Sequence, residues 1–272
     1  MATQFLAARV TAQEALQFHA GGKPGKLEVT PTKPLATQRD LSLAYSPGVA
    51  IPVEAIADDP GNAYNYTNKG NLIAVVSNGT AILGLGNLGA LAAKPVMEGK
   101  AALFKRFADL DAIDLLVDTP DVEAFVNAVR YLGPSFGGMN LEDIKSPDCF
   151  IIEERLKELL DIPVFHDDQH GTAIVVAAGM LNGLKVVDKD IRDVRLVCAG
   201  AGAAALACLN LLCKIGMRRE NITIADIEGV VYAGRTTLMD PYKAPYAQNT
   251  EARTLAEAIA GADIFLGLST AG

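Results

Sequence analysis

Short apolar runs rich in β-branched residues alternate along the chain with segments whose apolar residues recur at helical spacing. Strands that alternate with helices in this way indicate βαβ units and a mainly parallel sheet. Such sheets are covered on both faces, so their strands are continuous apolar runs, as they are here. The pattern predicts strands over residues 71–76, 81–83, 112–117, 138–144, 163–165, 194–199, 221–225 and 263–266. It predicts helices over residues 1–22, 92–106, 122–131, 148–160, 172–184, 206–215 and 254–260.

The segment between the first predicted helix and the first predicted strand has a different composition. Residues 23–53 are rich in proline, threonine and glycine, which favour turns and extended backbone over helix. We therefore expect this segment to be extended or looped.

One glycine motif indicates a dinucleotide site in the last third of the chain. Residues 200–205 read GAGAAA and stand between a predicted strand and a predicted helix. In this G-x-G-x-x-A form of the dinucleotide fingerprint, the glycines allow a tight turn and close approach to the pyrophosphate, which the helix N-terminus faces. A small-residue helix start without a ligand is the alternative interpretation. The predicted cofactor-binding residues are Gly200, Ala201, Gly202, Ala203 and Ala204.

Asp226 ends the predicted strand after this motif. A carboxylate at that place binds the adenosine ribose 2′-hydroxyl in NAD-dependent proteins, whereas the 2′-phosphate of NADP calls for a nearby cation. Residues 227–229 (IEG) include no cation, and Arg235 is the nearest basic candidate. On this point the sequence leans to NAD, and both NAD and NADP stay open.

Together these patterns predict an α/β protein of two domains. The first, residues 1–185, has a mainly parallel sheet, and the second, residues 186–272, is a Rossmann-type NAD(P)-binding domain. The chain stops directly after a predicted strand, whereas a doubly wound sheet normally continues with further βα units. We therefore expect the second domain to be incomplete at its C-terminus and the chain to be part of a longer protein.

A second glycine cluster, residues 84–89 (GLGNLG), also has the G-x-G-x-x-G spacing. It lacks a carboxylate at the expected distance, so a tight strand-to-helix turn is as good an interpretation as cofactor contact. The candidate cofactor contacts here are Gly86, Asn87, Leu88 and Gly89.

Two acidic pairs follow predicted strands, Glu142-Asp143 and Asp167-Asp168. The carboxyl ends of parallel strands meet at one edge of a sheet, and carboxylates gathered there would repel one another without a cation. Mg²⁺ and Mn²⁺ prefer oxygen ligands, so the pairs indicate a divalent metal site. Exposed turns or helix N-caps are the alternative. Zinc is the less favoured metal, because the flanking His166 and His170 fall short of a full nitrogen or sulfur ligand set.

The bulk properties exclude some classes of function. The formal net charge of -8 and the pI of about 5.0 argue against a nucleic-acid-binding surface. The longest apolar stretch, residues 193–217, is too interrupted for a membrane span, and the N-terminus has no signal-peptide pattern. The four cysteines form no CxxC pair, which predicts free thiols in a reducing compartment, the cytoplasm.

Several strings together resemble the bacterial malic enzymes, especially their NADP-dependent branch. They are PTKP at 31–34, AYSPGVA at 44–50, GLGNLG at 84–89, KPVMEGK at 94–100, NLEDI at 140–144, FHDDQHGT at 165–172 and GAGAAA at 200–205. The resemblance covers nearly the whole chain after about residue 20. It implies oxidative decarboxylation of malate to pyruvate and carbon dioxide, with NAD or NADP and with Mg²⁺ or Mn²⁺. It also implies a homo-oligomer, a dimer or larger, and some members of the family carry a phosphotransacetylase-like region.

The resemblance implies roles for individual residues. Tyr45 matches the general acid and Lys100 the general base, with Lys94 as a nearby competitor. A lysine base has to be neutral, so we expect burial or a cation to lower the pKa of Lys100. Asp167 matches a neighbouring carboxylate of the catalytic set. The implied metal ligands are Glu142, Asp143 and Asp168.

The sequence departs from the family pattern at one place. Animal-type members have an arginine for a malate carboxylate just before the first glycine-rich string, and residues 79–82 here read GTAI. The substrate-carboxylate ligand is therefore unassigned. A dehydrogenase that does not decarboxylate would share the cofactor loop without needing the carboxylates, and an inactive cofactor-binding fragment would bind dinucleotide without turnover. These are the alternative functions.

Overall fold

The computed structural model describes residues 10–82 and 84–269. The first predicted helix lies partly outside that range, and its described part is α1, Ala12–Ala20. Thr11 begins α1 with a reciprocal capping box to Glu14, which satisfies backbone donors that the helix start would leave free.

The prediction of a looped segment over 23–53 is wrong in part. Three short helices lie between residues 38 and 66: α2 (Gln38–Ala44), α3 (Ala50–Asp58) and α4 (Ala63–Tyr66). The side chain of Thr37 caps α2, and this capping box outweighs the turn-forming composition around it.

The first sheet contains four parallel strands in the order β2-β1-β3-β4. The strands are β1 (Leu72–Ser77), β2 (Asp111–Leu116), β3 (Gly138–Leu141) and β4 (Val164–His166). The helices that cover it are α5 (Ala90–Ala108), α6 (Val122–Arg130) and α7 (Asp148–Leu159).

Both faces of this sheet are buried, as the continuous apolar strands predicted. Ala74 and Val76 point into a core that contains Phe125 of α6 and Ile152 of α7. The intervening Val75 points to the opposite face, into a second core beneath α5. Alternate residues of one strand therefore pack on two different layers.

The second sheet also has four strands, in the order β7-β6-β5-β8. Three are parallel, as predicted, but the added β7 is antiparallel to β6. The strands are β5 (Leu196–Ala199), β6 (Ile222–Asp226), β7 (Gly229–Val230) and β8 (Ile264–Gly267). The helices are α8 (Asp167–Val186), α9 (Ala203–Lys214) and α10 (Leu255–Ile259).

Helix α8 joins the two sheets. It begins at the acidic pair after β4, five residues before the predicted start at 172. Its C-terminal part packs on the second sheet, where Ala177 and Leu184 share a core with Leu206 and Leu209 of α9. The boundary between residues 185 and 186 stays a prediction.

The prediction of a strand over residues 81–83 is wrong for the described part of that segment. Ile82 makes only an isolated antiparallel bridge, to Gly86, and does not join the sheet. Among the described residues, none of the helices combines the length and hydropathy that a membrane span requires.

The turn after β1 depends on a glycine, and this gives a stability prediction. Gly79 has a φ of +67°, and a Cβ built on it would lie 2.2 Å from the carbonyl oxygen of Gly89. We expect Gly79→Ala to lower the free energy of unfolding by about 3 kcal/mol, the sum of left-handed strain and a backbone clash. Urea unfolding measures the change.

Gly84→Ala is the matched control, because Gly84 also has a positive φ of +76° but its Cβ would meet nothing within 4 Å. This control should cost only about 1–2 kcal/mol. Equal losses in the two variants would contradict the clash at Gly79.

Candidate active site

The acidic pairs meet because β3 and β4 are adjacent and parallel. Leu141, the last residue of β3, is in register with His166, the last residue of β4. Glu142 and Asp168 therefore leave the same edge of the sheet. With Asp143 they form one group whose potential ligand oxygens all lie within 4.8 Å of one another.

The backbone around this carboxylate group is fixed by hydrogen bonds. Asp143 has a left-handed φ of 52°, and its N–H donates to the Asp168 carboxylate at 3.0 Å. Its carbonyl accepts the N–H of Ala81 at 3.0 Å, which ties the group to the loop after β1. These hydrogen bonds hold the backbone of Asp143 against Asp168 and the loop after β1.

Burial makes the carboxylate group electrostatically costly. Glu142 is 5% exposed, and burial raises its pKa to about 7, with Lys100 opposing the rise and the Asp168 charge adding to it. Two further carboxylates lie beside it. An oxygen-only donor set with excess negative charge fits a hard divalent cation such as Mg²⁺ or Mn²⁺.

Lys100, on α5, is the cation that the structure places on this group. Its Nζ lies 3.1 Å from Glu142 Oε1 and 2.5 Å from Asp167 Oδ2. The competitor Lys94 points elsewhere and pairs with Asp114 of β2 at 2.6 Å. The two lysines therefore lie on different faces of α5 and contact different carboxylates.

Burial alone does not give the expected lowering of the Lys100 pKa, and lowering by a bound cation stays a prediction. Burial does lower the pKa, but the hydrogen bond to Asp167 and the charges of Glu142 and Asp167 raise it more, so the net pKa lies above its ordinary value. The two neighbouring carboxylates stabilise the ammonium form.

Glu153 organises the junction between β4 and α8, and sequence reasoning missed it. Its buried carboxylate accepts the N–H of His166 at 3.2 Å, the ring Nε2 of His170 at 2.7 Å and Nζ of Lys157 at 2.8 Å. Of these three contacts, the sequence could have predicted only the one with Lys157, because the two residues are four positions apart on one helix. Neither histidine belongs to the group of potential metal ligands among the described residues.

The glycine loop before α5 lies at the same edge of the first sheet. Gly89 precedes α5, donates its N–H to the Gly79 carbonyl at 3.2 Å and, like Gly86, has a positive φ of 84°. Asn87 and Leu88 are exposed. The loop therefore turns into α5 without directly following a strand, because β1 ends at Ser77, and its proposed cofactor contacts stay predictions.

The second sheet carries the fingerprint loop in the expected setting. Residues 200–202 follow β5 directly, and α9 begins at Ala203 without a side-chain cap. A Cβ on Gly200 would lie 2.4 Å from the Leu268 carbonyl, whereas one on Gly202 would enter open space. The loop, including Ala201, lines a cleft of about 560 Å³. Exposed backbone there fits the approach of a pyrophosphate to a helix N-terminus.

Asp226 lines the same cleft, but its surroundings differ from those expected. Arg235 Nη2 donates to both carboxylate oxygens at 2.7 Å, and Lys243 Nζ donates at 2.8 Å. Burial raises the pKa of Asp226, but these hydrogen bonds lower it more. Two cations therefore contact the carboxylate: Arg235, which the sequence named as the nearest basic candidate, and Lys243, which it did not. The lean to NAD from residues 227–229 thus loses its basis.

Comparisons with known proteins agree with a carboxylate group on the first sheet and a dinucleotide loop on the second. The family model of the malic enzyme N-terminal domain matches residues 24–121, and that of the malic enzyme NAD-binding domain matches residues 169–272. The crystal structure of a Thermotoga maritima NAD-dependent malic enzyme is 42% identical with a TM-score of 0.88, and covers 96% of this chain and 69% of that one. The chain belongs to the malic enzyme family.

Curated members of the family are similar over almost the whole chain. An NADP-dependent malic enzyme of Rhizobium meliloti is 68% identical over 97% of this chain, and an NAD-dependent malic enzyme of that organism is 62% identical over 96%. The chain spans about a third of their lengths, 35% and 34%.

The malic enzyme residues inferred from the sequence divide into two groups in the structure. Those at the sheet edge lie together. Tyr45 is 77% exposed, and among the described residues no hydrogen bond or ring contact links its side chain to them. The residues that do lie together are Lys100, Glu142, Asp143, Asp167 and Asp168.

The Glu153 network gives a prediction of pH-dependent stability. Burial raises the pKa of Glu153, but hydrogen bonds from His170 and Lys157 lower it more, so the net pKa lies below its ordinary value of 4.5. The stabilisation is present above pH 4.5 and lost as the pH falls through the lower folded-state pKa. We expect Glu153→Gln to cost about 1–3 kcal/mol at pH 7, and less below pH 4.5.

Urea unfolding at several pH values measures this difference. Glu158→Gln, on an exposed side of the same helix α7, is the control and should change little at any pH. A Glu153→Gln loss that stays constant down to pH 3 would contradict an ionised Glu153.

Proposed function

We propose that the protein to which this chain belongs oxidises malate to pyruvate and carbon dioxide, with reduction of NAD(P) and with a divalent metal ion. The observation that carries this proposal is Lys100 lying 3.1 Å from Glu142, within a buried carboxylate group suited to a hard cation. A base beside a metal site is what oxidation and decarboxylation of a hydroxy acid both require.

The residues proposed to hold the metal and the cofactor are those already described. Glu142, Asp143 and Asp168 would ligate Mg²⁺ or Mn²⁺, and the loop from Gly200 to Ala204 would bind the pyrophosphate. When bound, the metal supplies Lewis-acid polarisation of the substrate oxygens, and NAD(P) supplies the hydride acceptor.

The chain's own residues would move the protons. Lys100, after losing its own proton to solvent, would take the proton of the malate C2 hydroxyl, and the contacts with Glu142 and Asp167 that favour its ammonium form have to be displaced first. Asp167 positions the lysine through the 2.5 Å hydrogen bond. After the C4 carboxylate leaves as carbon dioxide, Tyr45 gives a proton to C3 and pyruvate results.

Malate turnover by the full-length protein tests the proposal. We expect malate-dependent reduction of NADP or NAD that requires Mn²⁺ or Mg²⁺, with pyruvate and carbon dioxide as products. Lys100→Met should lower kcat by at least about a hundredfold, the usual contribution of general-base catalysis. Lys105→Met, an exposed position on the same helix α5, is the control.

Other outcomes point to other functions. Reduction of cofactor without carbon dioxide would support a simple dehydrogenase instead. Dinucleotide binding without turnover would support a non-catalytic module. Isothermal titration with Mn²⁺ adds a readout independent of activity, because Asp168→Asn removes one proposed ligand and should weaken binding.

We propose NADP as the preferred cofactor. Lys243 and Asp226 line the part of the cleft next to β6, and Arg235, which is not among the lining residues, adds a second positive charge on the Asp226 carboxylate. A site of net charge +1 attracts a 2′-phosphate rather than repelling it.

Lys243→Gln tests this preference. A charge-assisted hydrogen bond to phosphate contributes about 1.5 kcal/mol or more, so KM for NADP should rise roughly tenfold while KM for NAD changes little. Lys214→Gln, at the exposed end of α9, is the control. Equal changes in both KM values would contradict a phosphate contact, and thermal unfolding checks that the variant folds.

Malate and pyruvate are the proposed small-molecule partners, and the active protein is proposed to be a homo-oligomer. The proposed compartment is the cytoplasm, since the four cysteines are free thiols, three of them buried. Two domains that meet near residue 185 remain the proposed organisation.

A further inference from the structure

A chain of side-chain hydrogen bonds crosses the carboxyl edge of the first sheet in the order of its strands. Asn78, in the loop after β1, donates from Nδ2 to the carbonyl of Thr119, in the loop after β2, at 3.3 Å. Its Oδ1 accepts a hydrogen bond from the Thr80 hydroxyl at 2.7 Å. The same hydroxyl accepts the N–H of Lys145, in the loop after β3, at 3.0 Å. Three neighbouring loops are thereby tied side by side.

Thr80 stands at the centre of this chain, and its hydroxyl acts as donor and as acceptor at once. Thr80 is 7% exposed and Asn78 is 5% exposed, so water competes little for either side chain. A hydroxyl has one donor proton, and here that proton is engaged by Asn78 while a lone pair is engaged by Lys145. The placement of the loop after β3 against the loop after β1 therefore depends on this oxygen atom.

The loop after β3 carries two of the proposed metal ligands. Glu142 and Asp143 directly follow β3, and Lys145 stands two positions after Asp143. Asp143 has a left-handed φ of 52°, which is unfavourable for a residue with a Cβ. Such a conformation persists only where the surrounding contacts impose it.

Three hydrogen bonds impose the conformation at Asp143. Its N–H donates to the Asp168 carboxylate, and its carbonyl accepts the N–H of Ala81. The third bond is the one from the N–H of Lys145 to Thr80, and it comes from a side chain that is not itself a proposed ligand. Because positions 80 and 81 both contact the loop after β3, they hold it on either side of Asp143.

This arrangement bears on the affinity for a divalent ion. Ligands that are already held in place lose less conformational freedom when an ion binds. Hydrogen-bond partners behind metal ligands accordingly change metal affinity when they are removed, typically by about 10- to 100-fold. The alternative is a purely structural role, in which loss of the hydroxyl leaves buried polar groups of Asn78 and Lys145 unpaired and lowers stability alone.

We propose that Thr80 is a positioning residue for the divalent ion: its hydroxyl, oriented by Asn78, fixes the loop that presents Glu142 and Asp143. The inference rests on the proposed function only in that the carboxylate group binds a divalent ion. Its test does not require malate.

Isothermal titration of the full-length protein with Mn²⁺ tests this role. Thr80→Val replaces the hydroxyl by a methyl group of similar size and should raise the Kd for Mn²⁺ at least about tenfold. Thr80→Ser keeps the hydroxyl and should bind Mn²⁺ nearly as tightly as the wild type. Wild-type affinity in Thr80→Val, or the same loss in both variants, would overturn the proposal.

Val129→Ala is the control that separates ion binding from general stability. Val129 is fully buried in the core of the same sheet, near the end of α6 that leads to the start of β3, whereas the ligands follow the end of β3. Its truncation leaves a cavity and should lower the urea midpoint of unfolding without changing the Kd for Mn²⁺. A loss of Mn²⁺ affinity equal to that of Thr80→Val would show that stability alone sets the affinity, and the proposal would then be wrong.

Asn78→Ala provides the test where Thr80→Val does not fold. It removes the oxygen that orients the Thr80 hydroxyl, so the Kd for Mn²⁺ should rise about two- to tenfold, the effect of one hydrogen bond. Unchanged affinity in a folded Asn78→Ala protein would contradict the proposal.

These measurements distinguish this inference from the proposed function. Tight Mn²⁺ binding by the wild type with weak binding by Thr80→Val supports the positioning role, whether or not malate is oxidised. Mn²⁺-dependent malate oxidation with equal Mn²⁺ affinity in Thr80→Val contradicts the positioning role alone. A wild type that binds no Mn²⁺ contradicts the metal site, and both proposals fail with it.

Discussion

The parallel pairing of β3 with β4 is the constraint on which the candidate site depends. Because Leu141 is in register with His166, the carboxylates that follow the two strands leave the sheet side by side. Burying like charges side by side costs free energy. The pKa of Glu142, which burial and the neighbouring Asp168 charge raise to about 7, reflects this cost. Lys100 and the backbone hydrogen bonds of Asp143 offset part of the cost, and a divalent ion would offset more.

The features that the sequence predicted well share a local cause. Apart from β7, the strands of both sheets follow from continuous apolar runs, and the fingerprint loop follows from glycine and alanine at fixed offsets, so the α/β fold and the malic enzyme family were both within reach. Glu142 and Asp168 could also be brought together, because parallel topology fixes which strand ends meet. Residues whose neighbours are determined by secondary structure could therefore be placed from the sequence pattern and the sheet topology.

The features that the sequence did not predict depend on contacts across loops. Lys243 reaches Asp226 over 17 positions through an irregular segment, and Glu153 reaches His170 over the same number through β4. The spacing of apolar and polar residues along the sequence does not predict pairs of this kind. The net effect of these contacts on the Lys100 pKa was out of reach for a related reason, since burial lowers this pKa, the two carboxylates raise it, and only their distances decide which effect prevails. Helix α2 was missed because its side-chain cap at Thr37 outweighed the composition around it.

For Tyr45, the sequence pattern and the contacts in the structure give different information. The sequence string around it belongs to the family pattern, yet the residue lies on a segment without a single buried side chain. The first sheet can hold Lys100 and its carboxylates rigidly because both of its faces are covered, whereas the described hydrogen bonds of residues 28–67, which carry Tyr45, are all local. A proton donor has to lie within hydrogen-bond reach of the atom that it protonates, so Tyr45 can act as the proposed acid only where the segment that carries it is held against the carboxylate group.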